Sequence, residues 1–194
     1  MSVPSLAARV SEFHGEIDRV LRWTLHLPST PRWVAELNEL RFVRATLAWE
    51  EFVEQSFVCY LRGARSTVGH LYSLAVPIAP NLSAALSLAI GTAQYGKWLN
   101  ERWTLTRASA LFVGTHPYIA LSSPSFPEIR AIRNRIVHRS ESARQEFQRV
   151  VVSLHGAAKP GMTPGRLLSE QIGGGARIDA YLNLLKTVGT LVAN

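Results

Sequence analysis

The segment from Trp33 to Leu61 constrains the fold more than any other part of the chain. Leu37, Leu40, Val43, Leu47, Val58 and Leu61 recur at helical spacing, so they share one face of a long helix. Ala48, Trp49, Phe52 and Val53 cover much of the remaining surface. A helix that is apolar nearly all round is buried on most sides, which makes it the centre of a bundle. The pattern therefore predicts an all-α protein built around this second helix, with its end near Gly63.

Other helices follow from the same spacing. Leu6, Val10, Phe13, Ile17, Val20, Leu21 and Leu25 mark a first helix, which Pro28 and Pro31 end in a turn. Asn81 caps a short Ala/Leu-rich helix reaching about Ile90, and a further helix spans roughly 100–113 before Gly114. His116-Pro117 and the Ser/Pro cluster at 122–127 read as a loop. Ser125 followed by Glu128 has the spacing of a capping box and opens the next helix. That helix either breaks near Ser140 or continues through Phe147, Val150, Val151 and Leu154. Residues 156–175 are loop-like, with Gly173-Gly174-Gly175 as a turn, and a last helix covers about 177–192. The expected organisation is one domain over 1–194, with its core at about 5–155 and an additional C-terminal helix.

Charge is unevenly placed. Of the formal net charge of +7, residues 1–54 contribute −2 and residues 55–194 contribute +9. Eighteen of the 21 basic residues are arginine, a bias that favours directed contacts to phosphate over diffuse attraction. Nucleic acid is accordingly a plausible partner, with solubility as the plain alternative. The single cysteine, Cys59, excludes an internal disulfide framework and a thiolate zinc cluster, and its apolar setting makes it a core residue. The most apolar stretch, about 71–90, is interrupted by Pro77, Pro80 and Asn81, so no membrane span is expected. A soluble, cytoplasmic protein is the resulting expectation.

Chemistry concentrates in Arg133-Asn134-Arg135-Ile136-Val137-His138. Arginine can clamp a phosphate through two donors, and histidine can move a proton near neutral pH. Ile129, Ile132 and Ile136 form the apolar stripe of this helix. Arg133 projects just beside the stripe, and Arg130, Asn134 and His138 form a ridge turned away from it. The second helix carries the complement, because Glu51 falls within the Leu40–Leu47–Val58 stripe, with Glu50 and Glu54 to one side. A carboxylate there requires a cation, so Arg133 is expected to reach a glutamate of the second helix, leaving Asn134 and His138 facing outward. Arg130, Arg135 and Arg139 form either a solvated basic face or a nucleic-acid-backbone contact.

The chain resembles the HEPN superfamily, small helical bundles whose signature is Arg, four to six residues, then His, often with Asn directly after the Arg. Here the match is Arg133-Asn134 with His138, preceded by Ile129-Arg130-Ala131-Ile132. A second similarity is Ala48-Trp49-Glu50-Glu51-Phe52-Val53, an acidic helix in an aromatic setting. The branch that looks closest is the RiboL-PSP-type. The resemblance covers about residues 5–155 and implies an HEPN-like bundle. It further implies a metal-independent endoribonuclease, often a toxin or defence effector, needing no cofactor and acting as a homodimer with a composite active site. The partners it implies are RNA and an antitoxin or associated effector protein.

Arg133 and His138 would be catalytic, Asn134 and a glutamate supporting. The family pattern favours Glu50, next to Trp49, while helical phase favours Glu51; Glu50 is the slightly preferred choice. Where one branch carries a tyrosine two residues after the histidine, this chain has Ser140, so control by nucleotide attachment there is not implied. A non-catalytic module of the same family, binding RNA, nucleotide or a partner protein, is the alternative. Elsewhere, His116 is a minor candidate for the site, Trp98 and Trp103 read as packing residues, and the remaining histidines have no partner at ligand spacing.

Overall fold

The computed structural model describes residues 5–23 and 30–194. The protein is an all-α bundle, with eight α-helices, one 3-10 helix and a single two-stranded hairpin among the described residues. Helix α1 (Leu6–Arg22) and α2 (Pro31–Leu61) pack side by side, and the final helix, α8 (Arg177–Ala193), lies against both. Phe13, Trp49, Phe52 and Phe126 interlock in this region, with Phe13 and Phe52 stacked at 4.9 Å between ring centres. Helix α3 (Leu82–Ile90) packs against α2, while α4 (Glu101–Leu111) contacts the 3-10 helix Pro117–Ser122, which also meets α8. Helix α5 (Ser125–Val137) lies on α2 and pairs with α6 (Glu141–His155).

Polar side chains start most of these helices. Asn81, Asn100, Ser140 and Thr163 each accept the backbone N–H three residues on, so they satisfy donors that the first turn leaves open. Thr30 does the same for α2, and Pro31 is the first residue of that helix rather than the end of α1. A proline costs nothing at this position, because its missing N–H would have no helical partner. Leu25 and Pro28 lie outside the described residues. The Ser125/Glu128 capping box does not form, because Pro124 occupies the cap position and Glu128 instead accepts the Tyr181 hydroxyl at 2.8 Å.

Two stretches read as loops contain structure. Residues 117–122 form the 3-10 helix, with Tyr118 and Leu121 fully buried. Within 156–175, α7 (Pro164–Ser169) buries Leu167 and Leu168 against α2, and strands β1 (Gln171–Ile172) and β2 (Gly175–Ala176) form a hairpin. Its two-residue turn, Gly173-Gly174, takes φ of 56° and 89°, values that glycine adopts without penalty. The C-terminal segment therefore belongs to the core, as Ile178, Leu182, Leu185 and Val192 are fully buried.

Helix α2 is only partly as expected. From Ser56 to Leu61 it is buried all round, but Leu40 and Leu47 are 58% and 49% exposed. Its buried face in the first half is Asn38, Arg41, Phe42, Ala45 and Trp49, so the Leu40–Leu47 stripe points outward. Arg41 explains how a polar residue displaces leucine from the core side. Its guanidinium is 2% exposed and donates to the Val20 carbonyl, Asn38 and Asp179, which ties α1, α2 and α8 together. Burying it is tolerable because each edge of the guanidinium finds an acceptor. Cys59 is buried in the core, as expected.

Candidate functional site

Helix α5 buries Phe126, Ile129 and Ile132 against α2, so Arg133 emerges at the edge of that contact. Its Nη2 donates to Glu50 Oε2 at 3.3 Å and its Nη1 to Asn134 Oδ1 at 3.4 Å. Both bonds are long, and the buried Nε has no hydrogen-bond partner. Glu50 is the glutamate that meets Arg133. Glu51, one residue on, is exposed and lines a different groove, between α1 and α2, beside Arg44. Helical phase pointed to Glu51 only on the premise that the Leu40–Leu47 stripe is buried; that stripe faces outward, and Glu51 follows it. Burial pushes the Glu50 carboxyl above the ordinary carboxylate range, and the nearby Arg133 only partly opposes this.

Arg133, Asn134 and Glu50 line a cleft of about 500 Å³ together with Arg130, Lys97 and Tyr95. The loop between α3 and α4 forms the opposite wall. Trp98, whose indole N–H donates to Glu54 at 2.8 Å, packs edge-on to Trp103 and against Phe57. Both tryptophans are therefore packing residues, and the exposed aromatic ring at this cleft is Tyr95, 63% exposed. Arg130 lies 3.6 Å from Glu101, an ion pair too long for a hydrogen bond, with Glu101 buried at the start of α4. Tyr95, Lys97 and Glu101 carried no sequence signal, because a loop crossing over α2 brings them to α5 from distant positions.

The helix breaks immediately after the arginine-rich stretch. His138 is the C-cap of α5, with an extended backbone and its N–H donating to the Asn134 carbonyl at 2.8 Å. Ser140 then caps α6 by accepting the Ala143 N–H at 3.3 Å. Val137, His138 and Arg139 are all exposed, and Arg135 is half-buried. The His138 side chain lies outside the lining of the Arg133 cleft. One chain thus gathers Arg133, Asn134, Glu50 and Arg130 at a cleft, and leaves His138 and Arg139 at the open end of the same helix.

His116 is not part of this cleft. It is 8% exposed, near Phe112 and Tyr118, with Nδ1 lacking a hydrogen-bond partner, and burial lowers its pKa below the ordinary histidine value. Among the described residues no group of three His, Cys, Asp or Glu is placed to hold a metal ion, and no helix is long and apolar enough to cross a membrane. No family model matches the chain, and neither a curated protein nor a solved structure resembles it closely enough to match.

Proposed function

We propose that the protein is a metal-independent endoribonuclease of HEPN type, acting as a toxin or defence effector, with Arg133 and His138 as its catalytic residues. The observation that carries this reading is the state of Arg133. It is anchored by Glu50 and Asn134 at the edge of a cleft through two long bonds, which leave one further N–H on each Nη for a ligand. A phosphate in the cleft would take those donors, with Lys97 adding charge and Tyr95 offering a ring on which an unpaired base stacks. A strand leaving the cleft along α5 passes His138, which is exposed.

In this reading the nucleophile belongs to the RNA. His138 removes the proton of the 2′-hydroxyl, or protonates the departing 5′-oxygen. Arg133 stabilises the charge that builds on the phosphoryl oxygens, and Asn134 orients the phosphate or the imidazole. The products are a 2′,3′-cyclic phosphate and a 5′-hydroxyl, so DNA is spared. The homodimer belongs to the same proposal, since a second copy at the exposed end of α5 would enclose His138 in a shared groove.

The test is incubation of purified protein with single-stranded RNA in EDTA. Cleavage should persist, and His138→Ala should lower its rate at least about a hundredfold, the usual minimum for a lost general acid or base. Unaltered cleavage by a folded His138→Ala variant would remove the histidine from the mechanism. A second reading, a module that binds RNA, nucleotide or a partner without cutting, is favoured by the position of His138 outside the cleft lining. Salt-sensitive RNA binding with no cleavage, unchanged by His138→Ala, selects it.

A further inference from the structure

The outward stripe of α2 is a feature that the cleft leaves unexplained. Trp33, Leu40 and Leu47 are 61%, 58% and 49% exposed and lie seven residues apart, so they stack in one line along the helix. The line is about 21 Å long at the rise of an α-helix. Glu36 and Arg44 flank it and Leu37 and Val43 lie half-buried at its edges. A lone exposed leucine needs no explanation, but a row of three large apolar residues opposite the buried face of a helix marks a contact surface.

We infer that this stripe binds the same stripe of a second copy, as an antiparallel pair of α2 helices with its two-fold axis at Leu40. The order of residues carries the choice. Reversal about Leu40 sets Trp33 of one copy against Leu47 of the other, and Leu37 against Val43. The same reversal sets Glu36 against Arg44 on both sides of the axis. A parallel pair in register would instead oppose glutamate to glutamate and arginine to arginine, which is repulsive. A surface that is complementary to its own reverse is what a two-fold interface requires, whereas an unrelated partner would need no such symmetry.

The surrounding charges fit this occupant better than a lipid surface. Arg32, Glu36, Arg44 and Glu51 cancel in sign, and an interfacial helix relies on a strongly basic polar face. Arg44 already pairs with Glu16 of α1, and its side chain is still 53% exposed, which leaves donors free for a facing glutamate. This seam is a different contact from the α5 end invoked for the ribonuclease, and it holds whatever chemistry occurs at Arg133.

The test is sedimentation velocity across micromolar to millimolar concentrations, on the full chain. The wild type should dimerise. Leu40→Glu, which places two carboxylates at the axis, should abolish this step of association, leaving only the α5 contact of the proposed enzyme where that forms, with unchanged far-UV circular dichroism. Glu36→Arg, which opposes two arginines, should weaken dimerisation at least about tenfold, one unit of RT ln 10. Orientation is read separately by mixing Trp33→Cys chains with Leu47→Cys chains under mild oxidation. The mixed disulfide should dominate over either self-pair, and buried Cys59 should not compete. A wild type that stays monomeric overturns the seam, as does a dimer indifferent to Leu40→Glu and Glu36→Arg. The second result would leave the α5 contact of the proposed enzyme standing.

Discussion

Glu50 and Arg133 show how one residue pair can be both a structural contact and a poised site. The ordinary glutamate value is 4.5, and burial raises Glu50 above it despite the guanidinium nearby. A raised carboxyl binds its proton more tightly in the folded than in the unfolded state. Folded stability attributable to Glu50 therefore falls as pH rises from 4.5 through the folded value. Replacing it by Gln removes this dependence, so the stability of wild type relative to Glu50→Gln should decline between mildly acidic and neutral pH. Urea denaturation of both proteins at several pH values measures this, and parallel curves would show that the carboxyl is not strained. That Arg133 meets a glutamate of α2 was legible, because helical phase placed it beside an apolar stripe. Which glutamate it meets was not, because phase gives angles within one helix and cannot say which side of α2 the rest of the molecule covers.

At the scale of elements, the Asn81 cap was readable, the Ser125–Glu128 cap was misread, and packing partners were the least legible. The sequence left open whether the helix breaks near Ser140 or runs on, and the structure breaks it there. Asn81 acts locally, so its position fixes the start of α3 without reference to the remainder of the chain. Helix α7 is the opposite case. Six residues long, it has too few turns to show a periodicity, and it is held by what it touches. Gly165 donates its N–H to Glu39 of α2 at 2.8 Å, and an added Cβ would stand 2.3 Å from the Ala35 carbonyl oxygen. Two helix backbones meet there, and a backbone oxygen cannot swing aside as a side-chain end can. Gly165→Ala should therefore destabilise the protein by about 3 kcal/mol, the upper end for overpacking. Gly175→Ala is the control, since a Cβ there meets nothing within 4 Å. Thermal or urea midpoints would separate the two, and equal midpoints would mean that α7 is not clamped to α2.

Over the whole molecule, the excess of arginine has to be divided between holding the fold and meeting a ligand. Arg41 belongs wholly to the fold, and Arg107 holds the Ala89 and Leu88 carbonyls at the end of α3. Arg130 is shared, because it faces both the cleft and the buried Glu101. Arg135 and Arg139 have no such internal duty among the described hydrogen bonds and ion pairs, and they flank His138 at the exposed end of α5. Removing either should thus leave stability nearly unchanged. If that arginine neutralises a phosphate, its removal also lowers the slope of log affinity against log salt by about 0.7 for a single strand. Arg130→Ala should behave differently. It strips the cation from a buried carboxylate and should cost about 1–2 kcal/mol of folding stability, less than a fully buried pair because the Arg130 side chain is 30% exposed. Measuring salt-dependent RNA binding and urea stability on the same three variants decides the division. A slope unchanged in both Arg135→Ala and Arg139→Ala would confine the proposed nucleic-acid contact to the Arg133 cleft, and would assign the remaining positive charge to solubility.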